Sequence, residues 1–433
     1  MDRIYIRGGK RLSGVVEING AKNAVLPLMV ASLLSNEPST LFNIPNLNDV
    51  DTMKMVLEEL GAKITRKGNS LTIDPSGFNE YEAPYEMVRK MRASVYVMGP
   101  MLAKLHQARV SLPGGCAIGP RPIDLHLKGF EALGTKIILS HGYILAENKS
   151  PTGADVSLEG ARGSSVGATC NVLMLAVLSK GKTTLRGAAK EPEVIELCNF
   201  LNKMGARVSG METDTIIVEG VDKLSGAEYT VVPDRIEAGT YMVAAAITRG
   251  NVLIKNCRLD HIVAVISKLR EIGVTVIPEA SGARVIVENE LKPVSIRTLP
   301  YPGFPTDMQA QFMALLSLVN GESRITETIY PERFIHASEL LRMGADINVI
   351  NGTAIVRGVD HLSGAPVMAS DLRASAALVL AGLSARGETE ILRVYHIDRG
   401  YEKIEEKLAA LGAEIERVDT KFARRIADPF KKK

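Results

Sequence analysis

One cysteine in this chain sits where its thiol could react. In Leu-Pro-Gly-Gly-Cys-Ala-Ile-Gly-Pro-Arg-Pro, residues 112–122, glycines at 114, 115 and 119 and prolines at 113, 120 and 122 surround Cys116. Residues of these types exclude both a helix and a ladder of strand hydrogen bonds, so the segment is a loop held in special backbone conformations. A cysteine taken alone is a small core hydrophobe. The loop, together with Arg121 five residues on, favours a reactive thiol instead, because a nearby cation stabilises the thiolate. The other cysteines, at 170, 198 and 257, form no C-x-x-C pair, which argues against a structural zinc or a disulfide framework and for reduced thiols.

Two aspartates are placed for proton work. Asp307 follows a Gly and Pro turn in Gly-Phe-Pro-Thr-Asp-Met-Gln, and Asp371 stands in Ser-Asp-Leu-Arg. Either could be a helix N-cap, stabilising by about 1 kcal/mol, or a group that exchanges a proton with a substrate. Charges recur at the starts of apolar segments: Lys22 and Asn23, Arg92, the stretch 162–165, Arg235 and Glu237, and Arg373 beside Asp371. A cation at a helix N-terminus is unfavourable unless an anion lies between them, so Lys22, Arg92 and Arg373 point to an anionic ligand. Arg121, Arg333 and Arg399 add guanidinium groups suited to phosphate or carboxylate. The histidines show no ligand spacing, and no Walker loop or metal-binding cluster is present.

These residues need elements to carry them, and the elements recur. A phrase of hydrophobic residue, glycine, small residue, any residue, hydrophobic residue occurs at Gly61, Gly134, Gly205, Gly273, Gly344 and Gly412, intervals of 68 to 73 residues. Each glycine reads as the left-handed cap of an amphipathic helix, followed by two short strands. Each unit also holds a more apolar segment, at 24–34, 93–105, 166–178, 238–248, 308–319 and 374–383. A helix that is apolar nearly all round belongs in an interior. The expected fold is therefore α/β, with buried helices packed together and sheets outside, in six repeats of about 70 residues, three per domain. Val-Val-Pro-Asp at 231–234 marks the hinge, so 22–232 form one domain. Residues 1–21, strands with no helix before them, are expected to complete the last unit, making 1–21 and 233–418 the second domain. The segment 419–433 is a basic tail.

Composition excludes several classes. With 52 basic and 49 acidic residues and no Trp, the chain has neither the charge nor the stacking surface of a nucleic-acid binder. No run of about eighteen apolar residues and no signal-peptide core occurs, so a cytosolic protein without membrane contact is expected, and a monomer.

The motifs Asn-Gly-Ala-Lys-Asn-Ala at 19–24, Met-Arg-Ala-Ser at 91–94, Gly-Gly-Cys and Arg-Pro-Ile-Asp-Leu-His within 112–130, Ser-Val-Gly-Ala-Thr at 165–169, Pro-Thr-Asp-Met-Gln at 305–309 and Asp-Leu-Arg-Ala at 371–374 span nearly the whole chain. Together they resemble the enolpyruvyl transferases, in the branch whose acceptor is a nucleotide sugar. The resemblance implies two inside-out α/β barrels of three repeats each. It also implies transfer of the enolpyruvyl group of phosphoenolpyruvate to the 3-hydroxyl of UDP-N-acetylglucosamine, with release of phosphate and no cofactor, at the first committed step of peptidoglycan synthesis. Carried over residue by residue, Cys116 resembles the general acid that also forms a covalent adduct, and Asp307 the group that takes the hydroxyl proton. Lys22, Arg121 and Arg399 resemble the clamp on phosphoenolpyruvate, with Asn23 beside them and Arg92, Asp371, Arg373 and Arg333 in support. Asn23, Arg92, Arg121, Pro122, Ile123, Asp124, Leu125, Ser165, Val166, Gly167, Asp307 and Ile329 resemble the nucleotide-sugar contacts. The stretch 159–164 departs from the family pattern. Retention of Cys116 implies alkylation by the epoxide fosfomycin. The rivals are the sister enzyme acting on shikimate 3-phosphate, which has no such cysteine loop, and a non-catalytic nucleotide-sugar binder.

Overall fold

The computed structural model describes residues 2–88, 91–112 and 123–419. Cys116, Arg121, Pro122 and the tail beyond 419 lie outside the described residues, as does the side chain of Arg92, whose backbone opens the 3-10 turn Arg92–Val97.

The glycine phrase does what its chemistry allows. Gly61, Gly134, Gly205, Gly273, Gly344 and Gly412 all have φ between 90° and 107°, a region costly for any residue with a Cβ. At each, the glycine N–H and the N–H after it reach back to carbonyls of the last helical turn, as in Gly61 to Glu58 at 3.0 Å and Ala62 to Leu57 at 3.0 Å. That pair of bonds closes a Schellman cap and turns the chain directly into a strand.

Among the described residues the strands form six four-stranded sheets and one two-stranded hairpin. Each large sheet has the same order. The strand before the capped helix lies second, the two strands after the cap lie third and fourth (in the last sheet the third place is taken by the N-terminal strand Arg3–Arg7), and the first position is taken by a strand parallel to the second. In one example Glu228–Thr230 runs parallel to Ser39–Phe42, which pairs antiparallel with Ser70–Asp74 and that with Lys63–Lys67.

The N-terminal residues divide between two sheets. Arg3–Arg7 completes the last sheet, between Glu388–Leu392 and Glu414–Val418. Ser13–Glu17 does not join it, contrary to the sequence expectation, and pairs in parallel with Asn251–Lys255. The strand leading into an apolar helix stays in the half of the molecule that the chain is leaving; Glu228–Thr230 does the same in the opposite direction. The two crossing segments then meet, with Ala21 N–H donating to Val232 O at 2.7 Å and Asp234 N–H to Asn19 O at 2.8 Å.

The apolar helices are Lys22–Ala31, Val166–Ala176, Arg235–Ile247, Gln309–Leu316 and Leu372–Ser384, all buried along most of their length. The segment expected as one helix over 93–105 is broken into a 3-10 turn, one turn of α-helix at Met98–Pro100 and a π-helical stretch Met101–Leu105. Pro100 removes a donor from the ladder, and the Gly99 N–H is satisfied by Asn171 Oδ1 at 2.8 Å instead. Two hydrophobic cores result, one from residues between Ala21 and Val231, the other from Ile4–Ile18 together with Ile236–Leu411. No helix among the described residues is long and apolar enough to cross a membrane.

Candidate functional site

The first turns of the apolar helices from both cores converge on one cleft of about 740 Å³. Its floor carries two clusters of opposite charges, each built around one carboxylate.

The first cluster joins the two cores. Lys22, the first residue of its helix, places Nζ 2.6 Å from Asp49 Oδ2. Arg399 comes from the other core, at the end of the 3-10 turn Val394–Arg399, and donates Nε to Asp49 Oδ1 at 2.9 Å and Nη2 to Oδ2 at 3.3 Å. Burial pulls the Lys22 pKa below its ordinary value; Asp49 opposes this and Arg399 adds to it. Burial would raise the Asp49 pKa, but Lys22 and Arg399 together outweigh it and hold the carboxyl below its usual range.

The second cluster belongs to one core. Asp307 lies in the 3-10 turn Thr306–Met308, and its Oδ1 accepts from Arg333 Nη1 at 2.8 Å while Oδ2 accepts from Arg373 Nε and Nη2 at 3.3 and 3.1 Å. Both arginine side chains are buried, at 5% and 2% exposure, whereas Asp307 keeps 29% facing the cleft. Burial works against each guanidinium, yet the carboxylates nearby, and Tyr401 for Arg373, raise both above the ordinary arginine value.

The N-cap alternative separates the two aspartates. Asp371 caps its helix, accepting from the N–H groups of Arg373 at 2.9 Å and Ala374 at 3.1 Å. Asp307 makes no side-chain cap, because two guanidiniums draw its carboxylate into the cleft. The inference of an anion opposite each N-terminal cation also changes. Lys22, Arg373 and Arg235 face carboxylates of the protein itself, the last through Glu193 at 2.9 and 3.2 Å, across the two cores.

The remaining candidates whose side chains are described line the same cleft. Asn23 follows Lys22, and Ile123, Asp124 and Leu125 open the helix Asp124–Ala132. Ser165 caps the helix Val166–Ala176 by accepting from Ala168 N–H at 3.2 Å, leaving Val166 and Gly167 in its first turn. Gly167 is required by space, since a Cβ there would stand 2.9 Å from His126 Nε2. His126 is buried and bonded to Asn171 Nδ2 at 3.1 Å. Ile329 faces the cleft from the second core, and Arg162 Nη1 lies 3.5 Å from its carbonyl. The stretch 159–164 is a small hairpin, Glu159–Gly160 with Gly163–Ser164, and it too lines the cleft. Among the described residues no group of His, Cys, Asp and Glu could hold a metal. Burial pushes the Cys198 and Cys257 thiols up to about 12 and Cys170 well above its ordinary value.

Sequence reading missed Asp49, Glu193 and Tyr401. Asp49 sits in the first turn of Asn48–Glu59, where an acidic residue is ordinary dipole compensation and carries no signal of its own.

The model of the EPSP synthase (3-phosphoshikimate 1-carboxyvinyltransferase) family matches residues 6–408, and the chain belongs to that family. Within it, the chain is 54% identical over 418 residues to the UDP-N-acetylglucosamine 1-carboxyvinyltransferase of Desulfatibacillum aliphaticivorans, covering 96% of this chain and 100% of that one. It is 56% identical to the UDP-N-acetylglucosamine 1-carboxyvinyltransferase 1 of Caldanaerobacter subterraneus subsp. tengcongensis, covering 94% and 97%. In fold it is similar to the enolpyruvyl transferase NikO of Streptomyces tendae, with a TM-score of 0.87 at 24% identity over 96% of this chain and 98% of that one. An EPSP synthase of Acinetobacter baumannii superposes with a TM-score of 0.73 at 18% identity, over 97% and 100%.

Proposed function

We propose that the chain transfers the enolpyruvyl group of phosphoenolpyruvate to the 3-hydroxyl of UDP-N-acetylglucosamine, the first committed step of peptidoglycan synthesis, in the cytosol. The observation that carries the chemistry is the pairing, in one cleft, of cations from both cores with a carboxylate turned to the cleft by two buried arginines. The acceptor is carried by relatives more than half identical over nearly the whole chain.

In this reading a proton adds to the methylene carbon of the donor while the sugar 3-oxygen bonds to its C2 and loses its own proton. The tetrahedral adduct then gives up a methyl proton and its C–O bond to phosphate, leaving the enolpyruvyl ether and inorganic phosphate. Lys22, Arg121 and Arg399 hold the donor's charges, with Arg92 and Asn23 alongside. Asp307, acceptor-only when ionised, takes the hydroxyl proton. Cys116 supplies the proton to carbon; when its sulfur, and not the sugar oxygen, bonds to C2, the same addition across the double bond gives the covalent adduct. Asp371, Arg373 and Arg333 keep these groups in place. The sugar nucleotide lies along Pro122, Ile123, Asp124, Leu125, Ser165, Val166, Gly167 and Ile329. The two cores act as domains 22–232 and 1–21 with 233–418, each of three repeats, closing over the ligands as a monomer.

Phosphate release tests the reading. Purified protein with phosphoenolpyruvate is expected to release phosphate with UDP-N-acetylglucosamine and not with shikimate 3-phosphate, the acceptor named by the family model. Release with shikimate 3-phosphate alone would overturn it. Fosfomycin is expected to add once, at Cys116, since burial keeps the thiols of Cys170, Cys198 and Cys257 protonated at neutral pH. Intact-mass and peptide analysis showing label on any of these three would remove Cys116 from its role.

A further inference from the structure

Arg373 orients Asp307, and something must orient Arg373. Its guanidinium has three nitrogens. Nε and Nη2 are spent on Asp307, and Nη1 donates to Tyr401 Oη at 3.1 Å. The Tyr401 ring also lies under the guanidinium carbon, 5.4 Å from it to the ring centroid. Tyr401 is 1% exposed, so its hydroxyl is shut away from bulk solvent.

The hydroxyl is a junction of three helices. Thr240 on Arg235–Ile247 places Oγ1 2.8 Å from Tyr401 Oη. Thr240 also donates its own proton to Ile236 O at 2.8 Å, so the shared bond runs from Tyr401 to Thr240. Gln311, on Gln309–Leu316, points Nε2 at Thr240 Oγ1 at 3.2 Å, at Tyr401 Oη at 3.4 Å and at the Asp307 carbonyl at 2.9 Å. Arg373 itself stands on Leu372–Ser384. The chain of donors is therefore directional, from Arg373 to Tyr401 to Thr240 to the backbone, and leaves the guanidinium plane no freedom.

We infer that Tyr401 is a positioning residue for the transfer reaction, whose hydroxyl fixes the plane of Arg373 and through it aims the Asp307 carboxylate at the acceptor hydroxyl. The inference rests on the proposed reading of Asp307. A misplaced carboxylate costs turnover and not affinity, because reaction needs near-attack geometry whereas the sugar nucleotide is held elsewhere in the cleft.

The test is kinetic. Wild-type phosphate release with phosphoenolpyruvate and UDP-N-acetylglucosamine is measured first; its absence overturns the functional reading and not this one. In active protein, Tyr401→Phe keeps the ring and removes the oxygen, and kcat is expected to fall roughly tenfold or more with both KM values within about twofold. In an Asp307→Asn background the same substitution is expected to cause no further loss, because the hydroxyl acts only through that carboxylate. Unchanged kcat, or equal losses in both backgrounds, overturns the proposal. Should Tyr401→Phe not fold, Thr240→Val removes the hydroxyl's acceptor and is held to the same two outcomes, while Thr240→Ser restores wild-type turnover.

Discussion

The two charged clusters of the cleft use the same parts in opposite ways. Around Asp49, one buried carboxylate is shared between a lysine of one core and an arginine of the other. Around Asp307, one partly exposed carboxylate is held by two arginines of a single core, of which Arg373 is anchored in turn by Tyr401. The first is a joint between two bodies and holds its geometry only while the bodies stay together. The second lies within one body, so its contacts do not depend on the position of the other. In the proposed reading a bound anionic donor competes with Asp49 for Lys22 and Arg399, so the first cluster suits binding and closure. The second, with its arginines already occupied and its carboxylate oriented, suits a step that tolerates little misplacement.

The comparison breaks first at Asp307. Asp307→Asn keeps shape and loses the charge, and kcat is expected to drop by about 10²–10⁴, the range for a lost general base. KM for phosphoenolpyruvate is expected to hold within a few fold. A large rise in that KM with kcat preserved would place Asp307 in donor binding and erase the distinction between the clusters. Asp49→Asn acts in the other direction. It strands two cations and is expected to lower stability by about 3–5 kcal/mol, as when one partner of a buried pair is removed. Added phosphoenolpyruvate or inorganic phosphate is expected to recover part of the lost thermal midpoint, because an anion then replaces the carboxylate. Equal midpoint losses with and without anion would mean that Asp49 is only structural.

What the sequence disclosed follows the same division between local and distant causes. Glycine caps are local: a left-handed residue after an amphipathic run has one chemical solution, and its six occurrences exposed the periodicity. The cap of Asp371 is local too. The role of Asp307 was half legible, since cap and reactive group look alike until Arg333 and Arg373 arrive from 26 and 66 residues away. Asp49 was not legible, because Asp51 in the same first turn looks identical and stays at the surface. Tyr401 was still less so, its partners Arg373, Gln311 and Thr240 lying 28, 90 and 161 residues away. The exchange of Ser13–Glu17 into the sheet of Asn251–Lys255 belongs with these, for no local signal states which parallel partner a strand will choose.

The subtlest difference between the clusters is in titration: the Asp49 cluster holds an ammonium, Lys22, whereas the cations around Asp307 are both guanidiniums. Lys22 has its pKa lowered from the ordinary 10.5, chiefly by burial. As pH rises through that lowered value the ammonium becomes neutral, and kcat/KM for phosphoenolpyruvate is expected to fall at a lower pH than an ordinary lysine would give. The neighbours set the sign of each variant. Asp49 raises the Lys22 pKa, so Asp49→Asn moves the alkaline limb toward neutrality; Arg399 lowers it, so Arg399→Ala moves the limb up, on a weaker baseline. Lys22→Arg abolishes the limb, because a guanidinium stays charged. Stability runs the other way over the same window. Between the folded pKa and 10.5 the unfolded chain holds a proton on Lys22 that the folded chain has lost, so this group makes the fold more stable as pH rises while donor binding weakens. Profiles of kcat/KM and thermal midpoint that fall together through this window in wild type, and not in Lys22→Arg, would show that the alkaline loss is unfolding at this joint and not discharge of the donor site.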